Sequence, residues 1–188
     1  MTDPVPIVLR PWQTTDAAAL LAIFAASDDL STQYPSPVTS LAEADACLEK
    51  MLGWDATRKN AAIVPGPDLD GDPVGNIAVT GVEFRHGTGW VSYFSSGDVR
   101  GRGHIGRSAA ALTNWALDPA GLGLERLELG HRLNNPASGV IALRAGFVRE
   151  GTERAKLRYG DERFDVATYG RLRSDPAPRP SGVLLYLP

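Results

Sequence analysis

Apolar residues along this chain repeat at two different periods, and the switches between them set out an order of elements. Ile7, Val8 and Leu9 make a short run inside Pro6–Trp12 that Pro11 ends, the mark of a brief strand. Thr14, Thr15 and Asp16 stand where a helix cap belongs, ahead of the small apolar run Ala17–Ala26. The Pro35-Ser36-Pro37 cluster breaks the chain. Ser40 then opens a second helix: Glu43 completes a Ser-x-x-Glu capping box, and Leu41, Ala44, Leu48 and Leu52 follow near helical spacing. Ala61–Val64 is a strand, and Pro65–Pro73 is a turn-rich loop. Val74–Phe84, a turn over His86–Gly89 and Trp90–Ser95 make a hairpin.

A glycine-rich segment, Gly101–Gly106, leads into the helix Arg107–Leu117, whose Ala109, Ala110, Leu112, Trp115 and Ala116 are apolar. Gly121-Leu122-Gly123 ends that unit, and in Arg126–Leu133 the apolar Leu127, Leu129 and Leu133 alternate with polar residues, as in a half-buried strand. Ser138–Ala145 is a helix stopped by Gly146. Lys156–Tyr159, a Gly160-Asp161 turn and Arg163–Leu172 form a last hairpin. The order β-α-α-β-β-β-α-β-α-β-β predicts an α+β (mixed α/β) fold. Residues 1–174 form one domain, and 175–188 a Pro-rich linker with an apolar tail. That tail has three open fates: docking on the body, adding a strand to a partner, or staying disordered. Self-association as a homodimer is a separate open expectation.

Length and composition narrow the function. The chain has 188 residues, 43% hydrophobic and 22% charged, which suits one ordinary globular domain. Cys47 is the only cysteine, so no intrachain disulfide forms and a reducing compartment fits. His86, His104 and His131 show no paired ligand spacing, so no metal is expected. The longest apolar run is far below the roughly 20 residues that span a bilayer, and Met1-Thr2-Asp3-Pro4 does not begin a signal peptide. A soluble, cytoplasmic protein without a membrane partner is expected. The net charge of −3 argues against a general nucleic-acid binder. It hides a split: residues 1–98 carry 5 Lys and Arg against 13 Asp and Glu, a net −8, while residues 99–188 carry 14 against 9, a net +5. The basic half suits an anionic ligand unless folding mixes the two halves in space.

The strongest chemical signal is Arg100-Gly101-Arg102-Gly103-His104-Ile105-Gly106-Arg107, between a strand and a helix. Glycines let the backbone approach a ligand with its amides exposed, and a helix N-terminus favours phosphate. Gly101, Gly103 and Gly106 spell the dinucleotide-binding G-x-G-x-x-G. That fold needs a tight turn directly after the strand, and here Ser95–Arg100 intervene. No Lys-Ser/Thr pair follows the glycines, which excludes a nucleoside-triphosphate P-loop.

The segment resembles the acyl-CoA pyrophosphate loop of the GNAT N-acetyltransferase superfamily, Gln/Arg-x-x-Gly-x-Gly/Ala, read here as Arg100 to Ile105 with Ile105 as a departure. Asn134-Asn135-Pro136-Ala137-Ser138, followed by Gly146-Phe147 and Glu150-Gly151, is similar to the family's next block, in its RimJ/RimL-like (ribosomal-protein N-terminal acetyltransferase) form. Val8-Leu9-Arg10-Pro11-Trp12 with Asp16, and Trp115–Leu117 with Gly121–Leu129, extend the likeness over residues 7–173. The resemblance implies a twisted, largely antiparallel sheet of about seven strands flanked by helices, with a central splayed strand pair. It implies acetyl-CoA as co-substrate and an amine acceptor, either a protein or peptide α-amine or a small amine such as an antibiotic, polyamine or amino acid. A non-catalytic acyl-CoA-binding module stays open as a third reading.

By the same resemblance, Tyr93, Phe94, Ser95, Arg100, Gly101, Arg102, Gly103, His104, Ile105, Gly106, Arg107, Asn135 and Ser138 bind the cofactor. Gly89 stands where many members carry a glutamate base, and Ala142 where many carry a tyrosine acid. Ser138 becomes the candidate donor to the leaving thiolate, with a helix N-cap as its structural alternative. His131 and Glu83 are candidate bases, with a satisfied strand-end imidazole and a surface carboxylate as their alternatives. An α-amine, of pKa about 7.7–8.0, needs a weaker base than a lysine amine near 10.4.

Overall fold

The computed structural model describes residues 4–30 and 38–188. The Pro35-Ser36-Pro37 break lies outside them. The chain runs β1 (Ile7–Arg10), a 3-10 turn (Thr14–Asp16), α1 (Ala17–Ala25), α2 (Leu41–Lys50), β2 (Lys59–Pro65), β3 (Gly75–Glu83) and β4 (Thr88–Ser95). A second 3-10 turn (Gly97–Val99) leads to α3 (His104–Leu117), then β5 (Arg126–Arg132), α4 (Pro136–Arg144), β6 (Val148–Tyr159), β7 (Glu162–Leu172) and β8 (Val183–Leu185). The strands form one sheet in the order β6-β7-β5-β4-β3-β2-β1-β8. Its pairs are antiparallel except β4 with β5 and β1 with β8. This is the expected mixed α/β architecture with one strand more than the seven anticipated.

The extra strand is the tail. Val183–Leu185 pairs parallel with Ile7–Leu9, so the apolar end docks on the body of the protein. Three polar anchors carry it across the molecule. Arg171, 2% exposed, donates to Asn114 Oδ1 at 2.6 Å, and Asn114 Nδ2 donates to the Pro178 carbonyl at 2.9 Å. Farther on, Arg107 Nη1 donates to the carbonyls of Val5 and Ser181. Asn114 and Arg107 both belong to α3, so residues 174–182 run along that helix toward its N-terminus.

Other boundaries move for local reasons. α3 begins at His104, three residues before the expected Arg107, because His104 is buried and Ile105 packs on the core. α4 begins at Pro136, which suits a first helical position with its fixed φ and missing N–H. Its cap is Asn135, whose Oδ1 accepts from Ser138 N at 3.3 Å, so the N-cap alternative for Ser138 falls away. β6 starts at Val148, well before the expected Lys156. It is an edge strand exposed on both faces, so no apolar alternation marks it, and bulges after Arg149 and Glu153 bend it. Glu150 still ties it inward: its carboxylate accepts from Arg126 of β5 at 2.9 and 2.5 Å, passing over β7 where Gly170 has no side chain to block it.

Both faces of the sheet are covered. On one, Ile63, Ile77, Val91, Leu127 and Leu129 pack against Ala109, Leu112 and Ala116 of α3 and Ala142 of α4. On the other, Leu20, Ile23 and Phe24 of α1 meet Ala44, Cys47 and Leu48 of α2, with Phe94 beneath them. A buried polar chain sets α2 on the sheet: Trp12 Nε1 donates to Asn76 Oδ1, Asn76 to Asn60 Oδ1, and Asn60 Nδ2 to the carbonyls of Met51 and Gly53. Ser40 caps α2 as expected, but Glu43 reaches past it to the amide and hydroxyl of Thr39.

Arg10 closes the first corner. Its guanidinium binds Asp16 through two nitrogens at 2.8 and 2.9 Å and also donates to the Leu69 and Gly71 carbonyls of the turn-rich loop. The two side chains are only 4% and 6% exposed. Removing one partner of such a pair strands the other charge in the interior. Asp16→Asn is therefore expected to cost about 3–5 kcal/mol of stability, measured by denaturant unfolding. A loss below about 1 kcal/mol would show that the loop carbonyls alone satisfy Arg10.

Candidate active site

β4 and β5 are parallel neighbours joined by a crossover through α3, yet they pair for only three residues: Thr88 with Arg126, Gly89 with Leu127 and Trp90 with Glu128. Beyond Trp90 the two strands part. β4 stays paired with β3 through Ser95, and β5 with β7 through Arg132, so a gap opens between two well-supported strands. Ser96 N donates to Val74 O on the β3 side, and a Cβ on Gly75 would collide with the Phe94 carbonyl. By strand alternation Phe94 faces its backbone to β3, while Tyr93 and Ser95 present theirs to the gap. The Phe94 ring packs edge-on against Phe24 at 6.0 Å. Of the three strand residues expected at the cofactor, Phe94 is the one turned away.

The glycine loop closes one end of this gap. Gly101 and Gly103 sit at φ +79° and +80°, a left-handed conformation that favours glycine. A Cβ on Gly101, Gly103 or Gly106 would meet nothing within 4 Å, so the space over the loop is open. Gly103 is the N-cap of α3 and no side chain caps the helix. The first bond of the helix runs from Arg107 N to Gly103 O, which leaves the amides of Gly103, His104, Ile105 and Gly106 without an intrahelical acceptor. Ile105 turns its side chain onto the core, so its departure from the loop pattern removes no amide. His104 is 7% exposed and its Nδ1 has no hydrogen-bond partner. Burial first, then the charges of Arg107 and Arg102, hold that imidazole below its ordinary pKa. An oriented set of free amides, an orphaned nitrogen and open space fit a pyrophosphate.

The cationic cluster around the loop is smaller than the sequence suggests. Arg100 pairs with Asp29 at 2.7 Å, and Arg107 spends Nη1 on the termini. Arg102 makes no side-chain hydrogen bond or ion pair among the described residues. The Arg100–Asp29 pair is about half exposed and so worth at most about 1 kcal/mol, leaving Arg100 available to an anion.

Four elements meet deeper in the gap. Tyr93 of β4 donates its hydroxyl to the Ser138 carbonyl of α4 at 3.2 Å. Burial pushes the Tyr93 phenol up to about 12, opposed by the bond to Ser138. His131 of β5 stacks on Tyr169 of β7 with ring centroids 5.3 Å apart. Its Nδ1 lies 2.9 Å from the Arg132 carbonyl and its Nε2 3.2 Å from the Tyr169 hydroxyl. Gly139 makes the fit possible: a Cβ there would come within 3.0 Å of His131 Nε2 and 3.3 Å of the Tyr169 hydroxyl. The Ser138 hydroxyl makes no hydrogen bond among the described residues.

The structure thus gathers Tyr93, Ser138 and His131 and leaves Glu83 out. Glu83 pairs with Thr88, at the opposite end of β4 from the glycine loop. Its exposed carboxylate accepts from the amides of His86 and Arg85, bonds that hold it below the usual carboxylate range. Asn135 spends its side-chain oxygen on capping α4. Tyr169 and the hydroxyl of Tyr93 join this cluster although no motif in the sequence points to them. The alternation that buries Ala167 and Tyr169 on one face of β7 is a signal in the sequence, but it says nothing about the partner opposite. The two departures at Gly89 and Ala142 have a spatial cause. A Cβ on Gly89 would press on Val79 and Leu124, and Ala142 is fully buried.

A family model described as an acetyltransferase (GNAT) domain matches residues 7–148. The chain belongs to the GNAT acetyltransferase family. It is an acetyl-CoA-dependent N-acetyltransferase, and the open helix end is where the family resemblance puts the pyrophosphate. No curated protein matches the sequence. Solved structures similar in fold include the microcin C7 self-immunity acetyltransferase MccE in complex with acetyl-CoA and AMP. Its TM-score is 0.78 at 16% identity, covering 89% of this chain and 92% of that one. Another is spermidine N-acetyltransferase from Vibrio cholerae in complex with CoA and spermine, with a TM-score of 0.74 at 16% identity, covering 90% and 96%. A GNAT-family acetyltransferase from Bacillus anthracis gives a TM-score of 0.75 at 18% identity, covering 92% and 99%. Among the described residues no group of acidic, histidine or cysteine side chains could hold a metal, and no helix is long and apolar enough to cross a membrane.

Gly103 gives a test that separates folding from binding in this GNAT loop. Asparagine tolerates the left-handed conformation, and its side chain would enter open space. Gly103→Asn should keep its melting temperature within a few degrees while the KM for acetyl-CoA rises at least about tenfold. An unchanged KM would remove the loop from the binding site.

Proposed function

We propose that this enzyme acetylates a primary amine of low pKa, with the α-amine of a peptide or protein as the preferred acceptor. The observation that carries this is the absence of a carboxylate from the cluster in the strand gap. His131 and Tyr169 hydrogen-bond to each other, His131 and Tyr93 also bond to backbone carbonyls, and no acidic side chain bonds to any of the three among the described residues. A site with only an imidazole and phenols suits an amine that is already partly neutral at pH 7. The Asn135…Ser138 segment, with its RimJ/RimL-like form, supports the same acceptor class.

In this reading the amides of the α3 N-terminus and Arg102 hold the pyrophosphate, and the backbone of Tyr93 and Ser95 lines the pantetheine path. The amine attacks the thioester carbonyl. A hydrogen bond from the Ser138 hydroxyl eases departure of the thiolate. Ser138 sits on the N-terminal turn of α4, whose dipole favours that negative charge. Acetylation of a small polyamine is the second reading, favoured by the likeness in fold to spermidine N-acetyltransferase.

Release of CoA thiol can be followed with peptides bearing a free α-amine, the same peptides blocked at the N-terminus but carrying lysine, and spermidine. Turnover of the first set alone at pH 7 is the expected result. A preference for spermidine would overturn the α-amine reading in favour of the second. Ser138→Ala should lower kcat about tenfold with little change in the KM for acetyl-CoA. Because Asn135 provides the cap, its melting temperature should hold; a normal kcat would remove Ser138 from the chemistry.

A further inference from the structure

We infer that Tyr169 is a catalytic residue of this reaction, and that His131 takes the acceptor's proton through it and not directly. The inference rests on the amine-acetylating site described above and assigns a residue that neither the loop motif nor the Asn-x-x-Ser segment points to.

Hydrogen-bond directions lead there. The Arg132 carbonyl can only accept, so His131 Nδ1, 2.9 Å away, carries the proton in the neutral imidazole. Nε2 is then the lone-pair nitrogen. Its neighbour at 3.2 Å is the Tyr169 hydroxyl, which must donate to it. The basic face of His131 is therefore occupied. Gly139 of α4 packs over the pair: a Cβ there would reach Nε2 at 3.0 Å and the Tyr169 hydroxyl at 3.3 Å, so only a glycine leaves the two groups in hydrogen-bonding register. The Tyr169 oxygen, its proton given to the imidazole, keeps its lone pairs for another donor. Tyr169 itself is 6% exposed and fixed by stacking on the imidazole, so the pair is held in register.

The remaining titratable and charged surroundings are few. Tyr93 faces the pair from β4 and stays protonated, with its phenol pushed up to about 12. α4 presents Ser138 and Gly139, which carry no charge. The Arg132 guanidinium lies over the rings of Tyr159 and Phe164, at 4.8 and 5.3 Å, and so is directed toward the β6–β7 hairpin.

The proton balance closes. The amine nitrogen forms its bond to the acetyl carbon and becomes positively charged. Its proton passes to the Tyr169 oxygen as the Tyr169 hydroxyl proton passes to His131 Nε2. The imidazolium keeps its Nδ1–H on the Arg132 carbonyl. The carbon–sulfur bond then breaks, the amide is released, the thiolate takes a proton from solvent and His131 returns one to solvent. Two side chains acting in series lose the same function when either is removed.

The test uses the full chain and the best α-amine peptide. Tyr169→Phe and His131→Gln should each lower kcat about 100-fold with the KM for acetyl-CoA within about twofold of wild type. In both, the acid limb of the kcat/KM profile should be left with the single titration of the acceptor amine, whereas loss of a purely structural tyrosine would leave the wild-type profile in place. The double variant should be no slower than the slower single one. Gly139→Ala, which touches neither ring covalently, should reproduce the kcat loss. Nitrogen NMR of the imidazole should show the Nδ1–H tautomer in the wild-type protein, and in Tyr169→Phe a changed Nε2 signal. Wild-type kcat in Tyr169→Phe, losses that multiply in the double variant, or an Nε2–H tautomer would each overturn the relay while the acetyltransferase reading stands. A wild-type protein that turns over no amine would sink that reading as well.

Discussion

Everything functional in this protein depends on two parallel strands that pair and then separate. Three residue pairs hold β4 to β5, after which each strand is kept straight by its other neighbour, β3 or β7. A sheet normally satisfies its backbone groups with the next strand. Here the groups on the inner edges of β4 and β5 beyond Trp90 have no strand opposite, so the protein carries an unfilled hydrogen-bonding slot in its centre. Bulk keeps it open. The Trp90 indole lies within 3.0 Å of where a Cβ on Gly130 would stand, and Tyr93 bridges to α4. A flexible acyl chain with amides of its own is a natural occupant of such a slot.

The rigidity around the gap comes from charged groups bound to uncharged or single partners in the interior. Arg10 and Asp16 lock the corner between β1 and α1 and hold the loop at Leu69–Gly71. Among the described residues Arg171 hydrogen-bonds to no acidic side chain; it donates to Thr113 and Asn114, and burial lowers its pKa. That arrangement links β7 to α3 and, through Asn114, to the tail. The same helix whose uncapped N-terminus opens onto the space over the glycine loop is thus clamped along its length by β7 and by residues 174–182. A helix used as an anion site has to resist displacement when charge arrives at its end, and these polar clamps supply that resistance.

Much of the fold was legible along the chain. Alternation and helical spacing gave β1 to β5, α1 and α2 to within a few residues, because each of those elements has one face in a core. Elements without such a face leave little or no periodic signal. β6 is exposed on both sides, and β8 is three residues long and makes sense only beside β1. The three loop arginines looked alike in sequence. Their fates differ because Asp29, Val5 and Ser181 lie far away along the chain and close in space.

By itself, the sequence determined the order of elements up to the last hairpin, the glycine loop before α3 and the motif pair that belongs to an acetyl-CoA enzyme. These are local properties: backbone conformation, capping and periodicity act over a few residues, and the pyrophosphate loop is built from consecutive amides. Only the tertiary structure decided which side chains meet in the gap. Tyr93, His131, Ser138 and Tyr169 come from four elements, and the roles proposed for them rest on distances near 3 Å across strands and on hydrogen-bond directions. No spacing along the chain encodes those distances, so the separation of Glu83 from this cluster and the contact of Tyr169 with His131 became visible only after folding.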